Sequence, residues 1–94
     1  GQVMGTPAYM SPEQAKGESQ FVGPQADVWA LGVILYQALT GTKPFTAPNP
    51  LELMVKIGVD DPVPPRQVVP AVARDLELIC LKCLAKAPHE RYPT

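Results

Sequence analysis

One stretch constrains this chain more than any other. From Val28 to Leu39 only Gly32 and Gln37 interrupt a run of apolar residues. The run is too short to cross a bilayer, which takes about 20 apolar residues. It is too long for an ordinary strand, since those stop at about 8 residues. Pro24 before it and Thr40-Gly41 after it are start and stop signals of a helix. A helix apolar on every side belongs inside a core. The expectation is therefore a buried central helix with the rest of the chain packed around it.

Ninety-four residues make at most one small domain. A net charge of -1, with no run of Lys or Arg, gives no electrostatic reason to expect nucleic acid. No targeting segment and no membrane span are visible. Two cysteines do not make a disulfide framework, which suits a reducing, cytoplasmic setting. Of the 12 prolines, seven lie between Pro44 and Pro70, so that third of the chain is expected to be mostly extended or turning. There is no initiating Met, and Tyr92-Pro93-Thr94 resembles the start of another element. The expectation is a piece of a larger domain.

Taken in order, Gly1 to Tyr9 reads as ordered loop. Ser11-Pro12-Glu13-Gln14 reads as a helix start: a Ser cap, Pro at the first helical position, and a Gln that closes a capping box. Gly17 ends this helix after barely two turns. Phe45 reads as the buried anchor of the Thr42–Pro50 turn. Leu51, Leu53, Met54, Val55 and Ile57 predict a short amphipathic helix ending near Gly58. Asp60 to Pro65 is expected to be non-helical linker. Leu76, Ile79, Cys80, Cys83 and Leu84 fall at helical spacing, and Pro88 is expected to stop that helix. The sum is a mainly α array of three or four helices, with no strand.

Two apparent motifs carry no chemistry. Cys80-Leu81-Lys82-Cys83 has the spacing of zinc and redox sites, but both sulfurs lie on the apolar helix face and there is no second pair. Buried structural cysteines are expected. Gly41-Thr42-Lys43 lacks the upstream glycine of a phosphate loop.

Four other stretches converge. Gly5-Thr6-Pro7-Ala8-Tyr9-Met10-Ser11-Pro12-Glu13 closely resembles the end of the activation segment of a eukaryotic-type (Hanks-type) Ser/Thr protein kinase, with Ser-Pro-Glu for the usual Ala-Pro-Glu. Asp27-Val28-Trp29-Ala30-Leu31-Gly32 resembles the start of the kinase helix αF. Gly41-Thr42-Lys43-Pro44-Phe45 resembles the Gly-x-x-Pro-Phe turn after it. Leu84 to Tyr92 resembles the arginine-bearing segment after helix αH, with Ala87 where an Asp often precedes the proline. The phrasing is most similar to bacterial members of the family. Arg74-Asp75-Leu76 resembles part of a kinase catalytic loop, but lacks the His before the Arg and the Asn five residues after the Asp.

The resemblance implies a partial kinase large lobe over residues 1–94, from the end of the activation segment through αH to the start of αI. Helices αEF, αF, αG and αH would surround a buried αF. The Gly-rich loop, the ATP-positioning Lys, the catalytic loop and the Asp-Phe-Gly magnesium ligand are not in this sequence. ATP and Mg2+ are thus implied for the complete kinase, while this segment alone is expected to bind neither and to be inactive. In the parent it would form the substrate-docking floor and anchor the catalytic loop, while the γ-phosphoryl of MgATP passes to a protein Ser or Thr. The alternative is a non-catalytic, kinase-like interaction module. The implied partners are a protein substrate and the missing N-terminal part of the kinase domain; a membrane-anchored parent with a cytoplasmic kinase domain fits equally.

Residue roles carry over the same way. Thr6 would bond the catalytic-loop Asp and help seat the acceptor hydroxyl, favouring Ser/Thr over Tyr. Pro7, Tyr9 and Met10 would line the pocket for the residue after the acceptor. Glu13 and Arg91 would form a buried ion pair, suited to the planar guanidinium fork. Asp27 would cap the central helix and accept backbone N–H groups from the catalytic loop. Trp29 would pack between αF and the activation segment.

Overall fold

The structure, a computed structural model, describes residues 9–17 and 23–93. Five α-helices follow one another: α1 (Pro12–Ala15), α2 (Pro24–Thr40), α3 (Pro50–Val59), α4 (Pro65–Val68) and α5 (Arg74–Cys83), before a 3-10 turn at Pro88–Glu90. Among the described residues there is no strand. Every helix but α5 has proline at its start, where the missing N–H would have had no helical partner anyway.

Helix α2 is the centre. It packs against α5, α4 and the 3-10 turn, while α1 packs against α3. Ala26, Trp29, Val33 and Tyr36 recur at helical spacing on its inner face, and all are buried. They join Phe45, Ile57, Cys80 and Leu84 in the core. The Tyr36 hydroxyl donates to the Val63 carbonyl at 2.6 Å, pinning the proline-rich connection across α2. The helix ends in a left-handed Gly41 (φ 76°) whose N–H donates to the Gln37 carbonyl, a conformation that glycine adopts without Cβ strain.

The helix is not buried on every side, as its composition led us to expect. Asp27, Leu31, Ile34 and Ala38 form an opposite face that is open, with Leu31 61% and Ile34 53% exposed. Two apolar faces need two partners, and the described residues supply one.

Other expectations are corrected by packing. In α5 only the C-terminal part of the apolar stripe is buried: Cys80, Cys83 and Leu84 are inside, while Leu76 and Ile79 are each 41% exposed. The reason is the crossing point. A Cβ on Gly32 would lie 2.6 Å from Cys83 Cβ, so α5 meets α2 at its last turn and diverges towards its start. The helix also ends at Cys83, well before Pro88, which opens the 3-10 turn instead. Pro65 is not linker but the first residue of the unforeseen α4. Of the α3 stripe only Ile57 is buried; Leu51 and Val55 are exposed beside an apolar groove of about 290 Å³ between α1 and α3.

Candidate functional site

The segment leading into α1 is anchored by local chemistry first. Ser11, fully buried, accepts from the Gln14 N–H at 3.4 Å, and the Gln14 side chain accepts from the Ser11 N–H at 2.9 Å. This reciprocal box starts a helix of four residues that propensity alone could not hold.

The long-range anchor is Arg91. Its Nη1 donates to Glu13 Oε2 and its Nη2 to Glu13 Oε1, both at 2.8 Å, across 78 residues of sequence. Nη1 also donates to the Gln25 carbonyl (2.9 Å), Nη2 to that of Lys86 (3.1 Å) and Nε to that of Ala85 (2.8 Å). Guanidinium has five N–H groups, so each one is used. Burial alone would raise the Glu13 carboxyl, but the hydrogen bonds and charge of Arg91, with bonds from its own backbone and Ser11, hold it below its usual value.

Trp29 completes this anchor. Its fully buried ring stacks with Phe45 (centroids 6.0 Å apart, planes 10° from parallel), and the Arg91 guanidinium sits 5.1 Å from the ring centroid. Lys86 lies over Phe45 at 4.6 Å and over Trp29 at 5.5 Å. Among the described residues its ammonium has no hydrogen-bond partner; the aromatic faces and the charges of Asp61 and Asp60 favour it, while burial lowers its pKa. Sequence reading missed Lys86, because nothing in its spacing reveals which rings it will lie across.

Tyr9 and Met10 are half-buried and pack against this core. The Tyr9 hydroxyl donates to Gln37 Oε1 on α2 at 3.1 Å, a second contact the sequence did not disclose. Thr6 and Pro7 lie outside the described residues. Asp27 does not cap α2. The cap position is Gly23, without a side-chain bond, and Pro24 starts the helix three residues before Asp27. From inside the first turn Asp27 favours the helix through its charge near the positive end, and it is exposed on the open face with Leu31 and Ile34.

Cys80 and Cys83 are buried free thiols, and burial pushes Cys80 up to about 12. Cys80 Sγ donates to the Gly32 carbonyl at 3.5 Å. Asp75 is exposed in the first turn of α5. Among the described residues no group of three His, Cys, Asp or Glu side chains could hold a metal ion. Nor is any described helix long and apolar enough to cross a membrane.

A family model described as protein kinase domain matches residues 1–94. The chain belongs to the protein kinase family. Its mainly helical architecture is that of part of the kinase large lobe, with α1, α2, α3 and α5 at the places of αEF, αF, αG and αH. The serine/threonine-protein kinase PknB of Mycobacterium tuberculosis is 44% identical over 92 residues, covering 98% of this chain and 14% of the relative. Serine/threonine-protein kinase Pkn1 of Myxococcus xanthus is 46% identical over 92 residues, covering 98% of this chain and 13% of the relative. Tyrosine-protein kinase MasK of Myxococcus xanthus is 44% identical over 94 residues, covering 100% of this chain and 14% of the relative. The chain thus spans 13–14% of the length of these relatives.

Proposed function

We propose that this chain is the end of the activation segment and the following helices of a protein Ser/Thr kinase, and that it forms the floor on which the protein substrate docks. The observation that carries the reading is the saturated Glu13–Arg91 pair. It locks the start of α1, and with it the Tyr9–Met10 segment, to the far end of the chain and to α2. A floor fixed this way holds an acceptor residue in one place, which matters because phosphoryl transfer depends on positioning and charge stabilisation.

On this reading Thr6 bridges the catalytic Asp of the preceding part of the kinase and the acceptor, since a hydroxyl both donates and accepts. Pro7, Tyr9 and Met10 line the pocket for the residue after the acceptor, with Met10 adaptable to several apolar side chains. The open face of α2, with Leu31, Ile34 and Asp27, receives the catalytic loop and the helices before it. The γ-phosphoryl of MgATP moves to a protein Ser or Thr, on residues outside this chain. The two free thiols fit a cytoplasmic kinase domain.

The test is the full-length parent protein with MgATP and peptides that differ only in Ser, Thr or Tyr at the acceptor. Phosphate is expected on Ser and Thr. Thr6→Ala is expected to lower kcat/KM by about 10- to 150-fold, as for a lost hydrogen bond to a charged group, and Thr6→Ser to retain most of it. No transfer, or transfer to Tyr alone, overturns the reading; Thr6→Ala within twofold of wild type removes the role of Thr6.

A further inference from the structure

We propose that Lys86 is a positioning residue for the substrate floor, its ammonium holding the Phe45 turn and Trp29 against the arginine that anchors α1; this rests on the reading of the segment leading into α1 as that floor. Three parts of the fold meet at this one side chain. Its Nζ lies 4.6 Å from the ring centroid of Phe45, in the turn between α2 and α3, and 5.5 Å from that of Trp29 in α2. Asp60 and Asp61, at the end of α3, favour its positive charge. The backbone here serves the anchor. The Lys86 carbonyl accepts from Arg91 Nη2 at 3.1 Å, and the Ala85 carbonyl beside it accepts from Nε at 2.8 Å. Where the Lys86 side chain is held therefore sets where two of the five hydrogen-bond acceptors of Arg91 stand. Glu13 and the start of α1 follow the arginine.

Filling space gives no reason for a charge at position 86. A methionine has a stem of similar length and would lie across the same two rings. The ammonium is buried and has no hydrogen-bond partner among the described residues. Its burial outweighs the favourable charges of Asp61 and Asp60, while Arg91 and Lys16 oppose it. Burying such a group costs stability. What the charge adds is direction. An aromatic ring draws a cation towards its face, whereas apolar packing has no preferred geometry. Phe45 and Trp29 are already stacked on each other, so a cation attracted by both has one best place, and the chain from Ala85 to Arg91 is set by it.

The experiment uses the full-length parent and four variants: Lys86→Met, which keeps the stem and loses the charge, Lys86→Arg, which keeps a cation able to stack on rings, Phe45→Leu, and the Lys86→Met/Phe45→Leu pair. The first readout is hydrogen exchange at the Ala15 and Lys16 amides of α1, with the Glu77 amide of α5 as control; it needs no catalysis. The second is the peptide KM set against the ATP KM. Lys86→Met is expected to speed exchange in α1, and to raise the peptide KM, by about two- to thirtyfold. Exchange at Glu77 and the ATP KM are expected to stay unchanged, and Lys86→Arg to stay within twofold of wild type. In the Phe45→Leu background Lys86→Met is expected to do less than it does alone, because one of its two rings is gone. Unchanged α1 exchange in Lys86→Met overturns the proposal, as does full additivity with Phe45→Leu. Lys86→Arg as fast as Lys86→Met would show that the charge plays no part and overturns it too. So does equal acceleration at Glu77, which would mark a general loss of stability. If the parent phosphorylates no peptide, the substrate-floor reading falls by itself, while the exchange measurement still decides whether Lys86 holds the anchor of α1.

Discussion

Replacing Arg91 with Met removes the guanidinium while keeping much of the side-chain length. The structure sets the size of the effect. Five hydrogen bonds disappear at once: two to the Glu13 carboxylate and one each to the carbonyls of Gln25, Ala85 and Lys86. Glu13, only 4% exposed, is left as a buried charge without its partner. Breaking one side of such a pair costs about 3–5 kcal/mol, and the three stranded carbonyls place Arg91→Met at the upper end. Glu13→Gln belongs at the lower end, because the carbonyl bonds survive and one amide oxygen still accepts. The assay is hydrogen exchange at the Ala15 and Lys16 amides, which donate to the Ser11 and Pro12 carbonyls and report the opening of α1. At about 1.4 kcal/mol per tenfold, Arg91→Met should speed that exchange by about three to three and a half powers of ten. Acid should act on the same pair. The Glu13 carboxyl is held below its usual value in the fold, so its contribution is complete above the ordinary carboxylate range and is lost as pH falls through the lowered value. Acceleration below tenfold in Arg91→Met at neutral pH would refute the view that this pair carries the junction.

Two further outcomes follow from the same geometry. Gly32→Ala places a Cβ 2.6 Å from Cys83 Cβ and 3.0 Å from Leu84 Cδ2; overpacking of about 1–3 kcal/mol should exceed the gain in helix propensity of about 1 kcal/mol, lowering the urea midpoint, and a raised midpoint would refute it. Leu31→Glu with Ile34→Lys should reduce self-association of the 94-residue chain in light scattering, yet destabilise the full-length parent by about 1.5–3 kcal/mol per side chain; a parent of unchanged stability would show that this face is not covered.

Much of this was legible because the signals are local. The Ser11–Gln14 box, the Pro24 start and Gly41 end of α2, and the burial of Phe45 each follow from a few adjacent residues whose backbone preferences do not depend on the rest of the chain. The Glu13–Arg91 meeting was legible only through the motif resemblance, since no rule of spacing joins residues 78 apart. Where a single local signal misled, a nearer helix start or a tertiary crossing had overruled it. Asp27 is a good capping residue in the abstract, but Pro24 had already set the start of the helix. Leu76 and Ile79 share a stripe with Cys80, but α5 meets α2 only at its last turn.

The sequence by itself therefore determined that α1, α2, α3 and α5 are helical, that α2 is the hub, and that its surface is mostly apolar all round. Only the tertiary structure decided which face of α2 the neighbours take, which carbonyls complete the arginine's set of partners, and that Tyr9 finds Gln37. The physical reason is range: helix caps and turns are fixed by neighbours along the chain, whereas burial and directional side-chain bonds depend on where distant elements cross.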